Sequence, residues 1–161
     1  MKLDTAVLRI LALAVLCGGT GQLCAKPNFS GAWKMNSGRS NFAPLPAPDR
    51  MVREIGHHGS RLKIKTTQFG QQHEIVTELA YTTDGAKCKN VIRGQEFTGT
   101  AVWDGDTLVI ESKREMQGME IVQTERWSLS PDGETLTIAN HVQTPQAAFD
   151  ITIVLEKQPA S

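Results

Sequence analysis

From residue 50 onward the chain alternates apolar and polar residues at period two, in one short segment after another. Successive side chains of a strand point to opposite faces, so this alternation predicts half-buried antiparallel strands. Asp84-Gly85, Asp104-Gly105 and Asp132-Gly133 each stand between two alternating segments. Asp-Gly supplies the positive φ values that tight hairpins need. His58-Gly59-Ser60, Phe69-Gly70 and Gln117-Gly118 mark three further gaps. The strands expected are 31–36, 50–57, 61–68, 73–82, 87–93, 96–103, 107–116, 119–129, 134–143 and 148–157. No segment carries a helical period. Short connections make this an antiparallel up-and-down meander, all-β. Closing it into a barrel of eight to ten strands removes the exposed edges that invite aggregation. A sandwich is the alternative.

One stretch interrupts the meander. Residues 37–49, SGRSNFAPLPAPD, carry Pro44, Pro46 and Pro48. Proline fixes φ and has no amide donor, which excludes a central strand or a helix. The stretch is read as an extended strap over the barrel, pinned by Phe42 and Leu45. A Pro-x-x-Pro docking ligand is the other reading.

The N-terminus changes the domain picture. Lys2 and Arg9 precede ILALAVLCGG, an apolar run of secretory rather than membrane-spanning length. Leu23-Cys24-Ala25 resembles a cleavage site, which gives a signal peptide over 1–25 and one barrel domain over 26–161. The expected location is outside the cytoplasm, periplasmic or secreted. A lipid-anchoring signal wants a small residue before its cysteine, whereas Leu16 precedes Cys17 and Leu23 precedes Cys24. Of 17 basic and 17 acidic side chains the segment removes Lys2, Arg9 and Asp4, leaving a formal charge of −1. Such a balance excludes nucleic acid as an expected partner. No second apolar run has membrane length. Cys88 remains alone, read as a half-buried strand residue, so no internal disulfide holds the fold.

NFSGAWKMN, residues 28–36, resembles the opening strand of the calycin superfamily, the lipocalins and fatty-acid-binding proteins. The tail ITIVLEKQ is similar to the last strand of the fatty-acid-binding group. The resemblance implies that Gly31 and Trp33 form the barrel-closing motif, with the tryptophan plugging the closed end. It also implies two short lid helices after the first strand, where this chain has its proline strap. An Arg-x-Tyr pair in the family's final strand holds a ligand carboxylate; Ile153 and Leu155 stand at the matching positions here. The clamp is therefore not carried over. The chain is also similar to short exported barrel proteins of bacteria that carry no assigned activity.

Candidate chemistry follows from the phase of the alternation. Arg114 shares a face with Leu108 and Ile110, Gln123 and Glu125 with Ile121 and Trp127, and Asn140 with Leu136 and Ile138. Polar groups in phase with apolar ones line a wet cavity and orient a ligand, pair with one another, or sit at the barrel mouth. Arg114 and Glu120 are the nearest pair across a tight hairpin. Arg114, Gln123, Glu125 and Asn140 are thus the candidate ligand-binding residues. His57 and His58 are consecutive and face opposite ways, and no histidine spacing matches a metal motif, so all four histidines are read as solvated turn or edge residues. No nucleophile elbow or phosphate loop appears. No cofactor and no metal are expected. The expectation is a non-enzymatic barrel holding a small, largely apolar ligand. The alternatives are a filled barrel with a structural or protein-binding role, its partner unspecified, and an enzyme using Glu125 or Arg114 as acid or base.

Overall fold

The computed structural model describes residues 25–70 and 73–160. The expected signal peptide falls almost wholly outside these residues. Among the described residues there is no helix. Ten strands form one antiparallel sheet: β1 Gly31–Met35, β2 Arg50–His58, β3 Arg61–Gly70, β4 His73–Thr82, β5 Cys88–Ile92, β6 Gln95–Asp104, β7 Thr107–Met116, β8 Met119–Leu129, β9 Thr135–Gln143 and β10 Ala148–Lys157. Each sits within two residues of the span its alternation predicts.

Their order is β4-β3-β2-β1-β10-β9-β8-β7-β6-β5. The first and last strands join directly, Trp33 opposite Lys157 and Met35 opposite Leu155. The sheet thus wraps into a nearly closed barrel, and its one discontinuity lies between β4 and β5. Here the structure corrects the sequence reading. Asp84-Gly85 makes a turn, with Gly85 at φ 84°, but no backbone ladder follows it. The turn docks sideways instead, with the Gly85 amide donating to the Ala101 carbonyl of β6 at 3.0 Å.

A side chain substitutes for the missing ladder. Asn90 of β5 is buried; its Oδ1 accepts from the Ala80 amide of β4 at 2.7 Å, and its Nδ2 donates to the Ala80 carbonyl at 3.0 Å. An asparagine amide carries the same donor and acceptor as a peptide unit, so one residue closes the seam where strands do not. Beside it Tyr81 reaches across to β6. A Cβ on Gly99 would stand 2.8 Å from the Tyr81 ring, so the crossing requires glycine there. Burial raises the pKa of the Tyr81 phenol, and the charge of Glu125 adds to it.

Elsewhere the hairpins are tight. Gln117 and Gly118, at φ 54° and 77°, join β7 to β8 between the paired Met116 and Met119. Two positive φ values in succession match the twist of the flanking strands. This register places Arg114 opposite Ile121, not beside Glu120.

The closed end is a packed aromatic plug. Trp33 is fully buried, and its indole donates to the Phe29 carbonyl at 2.9 Å. Phe29 stacks on His57 and Trp103 and meets Trp127 edge-on, with ring centroids 5.5–5.8 Å apart. Leu62, Leu108, Leu136 and Leu155 complete this base, all fully buried. Fully burying a large apolar side chain contributes about 1.5–3 kcal/mol. His57 departs from the sequence reading, because it is buried inside the plug rather than solvated. It lies in phase with Met51 and Ile55 on β2, and its Nδ1 accepts from the Phe29 amide at 3.4 Å. Burial holds its pKa below the usual 6.5, and the charge of His58 lowers it further.

The proline strap crosses the opposite end. Asn41 and Thr152 of β10 exchange backbone hydrogen bonds at 2.7 and 2.8 Å. At its far end the Asp49 amide donates to the Phe69 carbonyl. Phe42 packs against the core as expected, whereas Leu45 is 46% exposed at the rim of the space beneath the strap.

Candidate functional site

Between plug and strap the interior is not filled. A cavity of about 530 Å³ runs under the strap, lined by Phe42, Pro46, Met51, Gln68, Ile75, Ile151 and Ile153, with Arg53, Arg114, Gln123, Glu125 and Asn140 among them. A second space of about 380 Å³ extends toward the seam, between Thr77 and Leu79 on β4 and Ile92 and Phe97 on β5 and β6. The two share Arg53, Gln68, Ile75, Arg114, Gln123 and Glu125. A depression of about 570 Å³ lies on the outer face of β2–β4, among Glu54, Lys63, Lys65 and Glu78. Those side chains are exposed and Lys65 already faces Glu54 at 3.9 Å, so it is a solvated surface.

All four polar residues singled out by alternation meet in the cavity beneath the strap. The signal that revealed them is the same that makes the strands: each keeps phase with core aliphatics. A fifth, Arg53, was missed. It stands in Met51-x-Arg53-x-Ile55-x-His57, where a cation and an imidazole interrupt the apolar phase of the inward face of β2. It is 8% exposed.

These groups form a chain of contacts from the plug into the cavity. Trp127 is fully buried, and its indole donates to Glu125 Oε2 at 2.7 Å. Arg53 reaches the same oxygen at 3.5 Å, and its guanidinium lies over the Trp127 ring, 5.4 Å from the centroid. One carboxylate thus serves two donors while the arginine stacks on the indole. Such a pair is partly desolvated, and its attraction is offset by the cost of taking both ions from water.

Arg114 has no such partner. Among the described residues no carboxylate lies within ion-pair distance of it. Burial depresses its pKa, and the charge of Arg93 depresses it further. Arg53 and Glu125 thus face each other across the cavity while Arg114 stands apart, with Asp49 exposed at the strap end and Arg93 toward the seam. Of the residues that line it, Arg53, Arg114 and Asn140 each leave one buried atom, Nε, Nε and Oδ1, without a hydrogen-bond partner. Buried polar atoms are nearly always satisfied, and each orphan costs roughly 1–3 kcal/mol. The remaining histidines stay apart: His58 and His73 are exposed, and His141 bonds Asp150 at 2.7 Å on the surface. No cluster of metal-ligating side chains occurs among the described residues.

The same architecture recurs among solved structures. A secretory abundant heat soluble protein of Ramazzottius varieornatus superposes with a TM-score of 0.61, at 13% identity, over 80% of this chain and 94% of its own. Echinococcus granulosus fatty-acid-binding protein 1 gives 0.53 at 14% identity, over 81% and 98%. The zebrafish ileal bile acid-binding protein, solved with cholic acid, gives 0.52 at 18%, over 81% and 98%. The chain has the fold of the fatty-acid-binding-protein-like calycin barrels. No protein-family model and no curated protein matches its sequence. In this calycin-like barrel Trp33 sits at the closed end, as the opening-strand resemblance implies. Ile153 and Leu155 of the last strand are buried aliphatics, and the cationic groups come from β2 and β7 instead.

Proposed function

We propose that this chain is an exported, non-enzymatic barrel that binds a small, largely apolar molecule with an anionic end. The single observation that carries the reading is Arg114: a half-buried cationic side chain lining a cavity of aliphatic and neutral polar groups, with no carboxylate within ion-pair distance among the described residues. Ligand pockets of this type are mostly apolar, with a few placed polar groups that fix orientation. The apolar body packs against Ile75, Leu79, Ile92 and Phe97. The anionic end accepts from Arg114 and Arg53, which relieves the desolvation of both. Two of the similar folds bear names that refer to bile acid and fatty acid, and these support an amphipathic ligand. Glu125 is already engaged by Arg53 and Trp127, which favours a positioning role over acid or base work. The filled-barrel alternative draws on the plug, but a plug occupies only one end.

Calorimetric titration of residues 26–161 with dodecanoate and with dodecanol tests the reading. The acid should bind one to one at micromolar concentration and about tenfold more tightly than the alcohol, one charge-assisted hydrogen bond's worth. Arg114→Gln should remove most of that difference. No saturable uptake of either, or equal affinity for both, contradicts it. Export is tested separately: the protein recovered from outside the cytoplasm should begin at Lys26 by intact mass.

A further inference from the structure

The two parts of the interior differ in charge. Beneath the strap, Arg53 and Arg114 are matched by Asp49 and Glu125 among the lining residues. Toward the seam the lining takes in Arg93 with Arg53 and Arg114, and Glu125 is its only carboxylate among the described residues. Arg53 lies 3.5 Å from Glu125, so that pair is balanced within the protein. Arg93 and Arg114 are left over, and neither has a carboxylate within ion-pair distance among the described residues. Glu74 and Arg93 line a common recess beside the β3–β4 turn, yet they do not come that close. The two cations sit on different elements. Arg114 belongs to β7 and is half-buried, whereas Arg93 is exposed at the turn between β5 and β6. Arg93 and Gly94 take φ 50° and 79°, between the paired Ile92 and Gln95. This is the same kind of tight turn as Gln117-Gly118, and it fixes the Arg93 backbone at the rim of the space. The field of Arg93 reaches Arg114, where it adds to burial in depressing the pKa. Like charges held near each other repel, and an anion between them removes the repulsion.

We infer that Arg93 and Arg114 together hold the head of the ligand at the seam-side rim, and that this head is doubly charged: the ligand is a phosphate monoester of an apolar alcohol. A carboxylate carries one charge and offers two oxygens. A phosphate monoester carries up to two charges and three free oxygens, enough to accept from guanidinium groups that approach from separate strands. The apolar body runs inward along Ile75, Leu79 and Phe97. Arg93 is the specificity-determining residue, because it supplies the second cation. This rests on the proposed anionic-ligand reading and narrows it.

Decyl phosphate and decyl sulfate share a chain and a tetrahedral head. At pH 8 the first is doubly charged and the second singly, since the second phosphate pKa is about 6. Calorimetric titration of residues 26–161 with each, below micelle formation and in phosphate-free buffer, should show the phosphate binding about tenfold more tightly. Arg93→Gln should bring that ratio to near one, and Arg93→Lys, which keeps the charge, should retain most of it. Gln117 already takes the equivalent turn position, so the glutamine variant keeps the hairpin. Decyl phosphate should also displace bound dodecanoate; simultaneous binding of both would place the phosphate outside the cavity and overturn the inference. Equal affinity for phosphate and sulfate in the unaltered chain, or a ratio unchanged in Arg93→Gln, overturns it too and leaves the anionic-ligand reading standing. Failure of decyl phosphate, decyl sulfate and dodecanoate alike to bind overturns both.

Discussion

The two ends of this barrel are built on opposite principles from the same strands. Toward the closed end the inward positions carry Trp33, Phe29, Leu62, Leu108, Trp127 and Leu136, all fully buried within one hydrophobic cluster. Toward the strap the same strands turn inward Arg53, Thr66, Arg114, Gln123 and Asn140, around open space. The change happens within single strands: on β8, Trp127 belongs to the plug, Glu125 to the boundary and Gln123 to the cavity. Packed apolar side chains and inward polar ones are thereby separated along the barrel axis. The plug carries the hydrophobic stabilisation that three orphaned polar atoms at the other end draw upon.

Truncating the plug breaks the comparison hardest. Trp33→Ala removes a fully buried side chain and its hydrogen bond to Phe29, and should lower unfolding free energy by about 3–5 kcal/mol in urea titration. A loss of less than about 1 kcal/mol would mean that the base does not hold the fold. At the boundary, Glu125→Ala strands both Arg53 and the Trp127 indole. The Glu125 side chain is 19% exposed, so the cost should be about 2 kcal/mol, below that of a fully buried pair. In the cavity the sign reverses. Arg114→Leu deletes a half-buried cation that has no carboxylate within ion-pair distance, and should raise stability by about 1 kcal/mol while abolishing preference for an anion. A destabilised Arg114→Leu protein would show that the guanidinium has a structural partner.

The smallest effect is a pH dependence confined to the plug. The imidazole of His57 has a lower pKa folded than unfolded, near 6.5. The unfolded chain therefore binds more protons as the pH drops below that value, so His57 favours folding above pH 6.5 and this contribution fades as pH falls through it. Melting temperature should decline between pH 7.5 and 5.5 in the parent protein. The decline should be shallower in His57→Phe, and equal slopes would contradict the assignment.

The strands were legible because a barrel imposes its period on every segment, and the turns because their positive φ values demand Gly. Arg114, Gln123, Glu125 and Asn140 were legible for the same reason, being polar residues in an apolar phase. The seam was not. Asp84-Gly85 reads like the other Asp-Gly turns, and what decides against a hairpin is the Asn90 amide on Ala80 and the Tyr81 ring on Gly99, contacts between strands that local pattern does not encode. His57 stands next to a turn, which hides its burial from the sequence; only the packing of Phe29 and Trp103 against it reveals that burial.

The division into plug and binding cavity is open to direct observation through the indole N–H resonances of the three tryptophans. The Trp127 indole donates to Glu125 at the cavity floor, whereas that of Trp33 donates to the Phe29 carbonyl within the plug. Nuclear magnetic resonance titration of the isotope-labelled protein with dodecanoate should shift the Trp127 signal saturably and leave that of Trp33 in place. An unmoved Trp127 resonance at saturating ligand, or a Trp33 resonance that moves as far, would contradict the account.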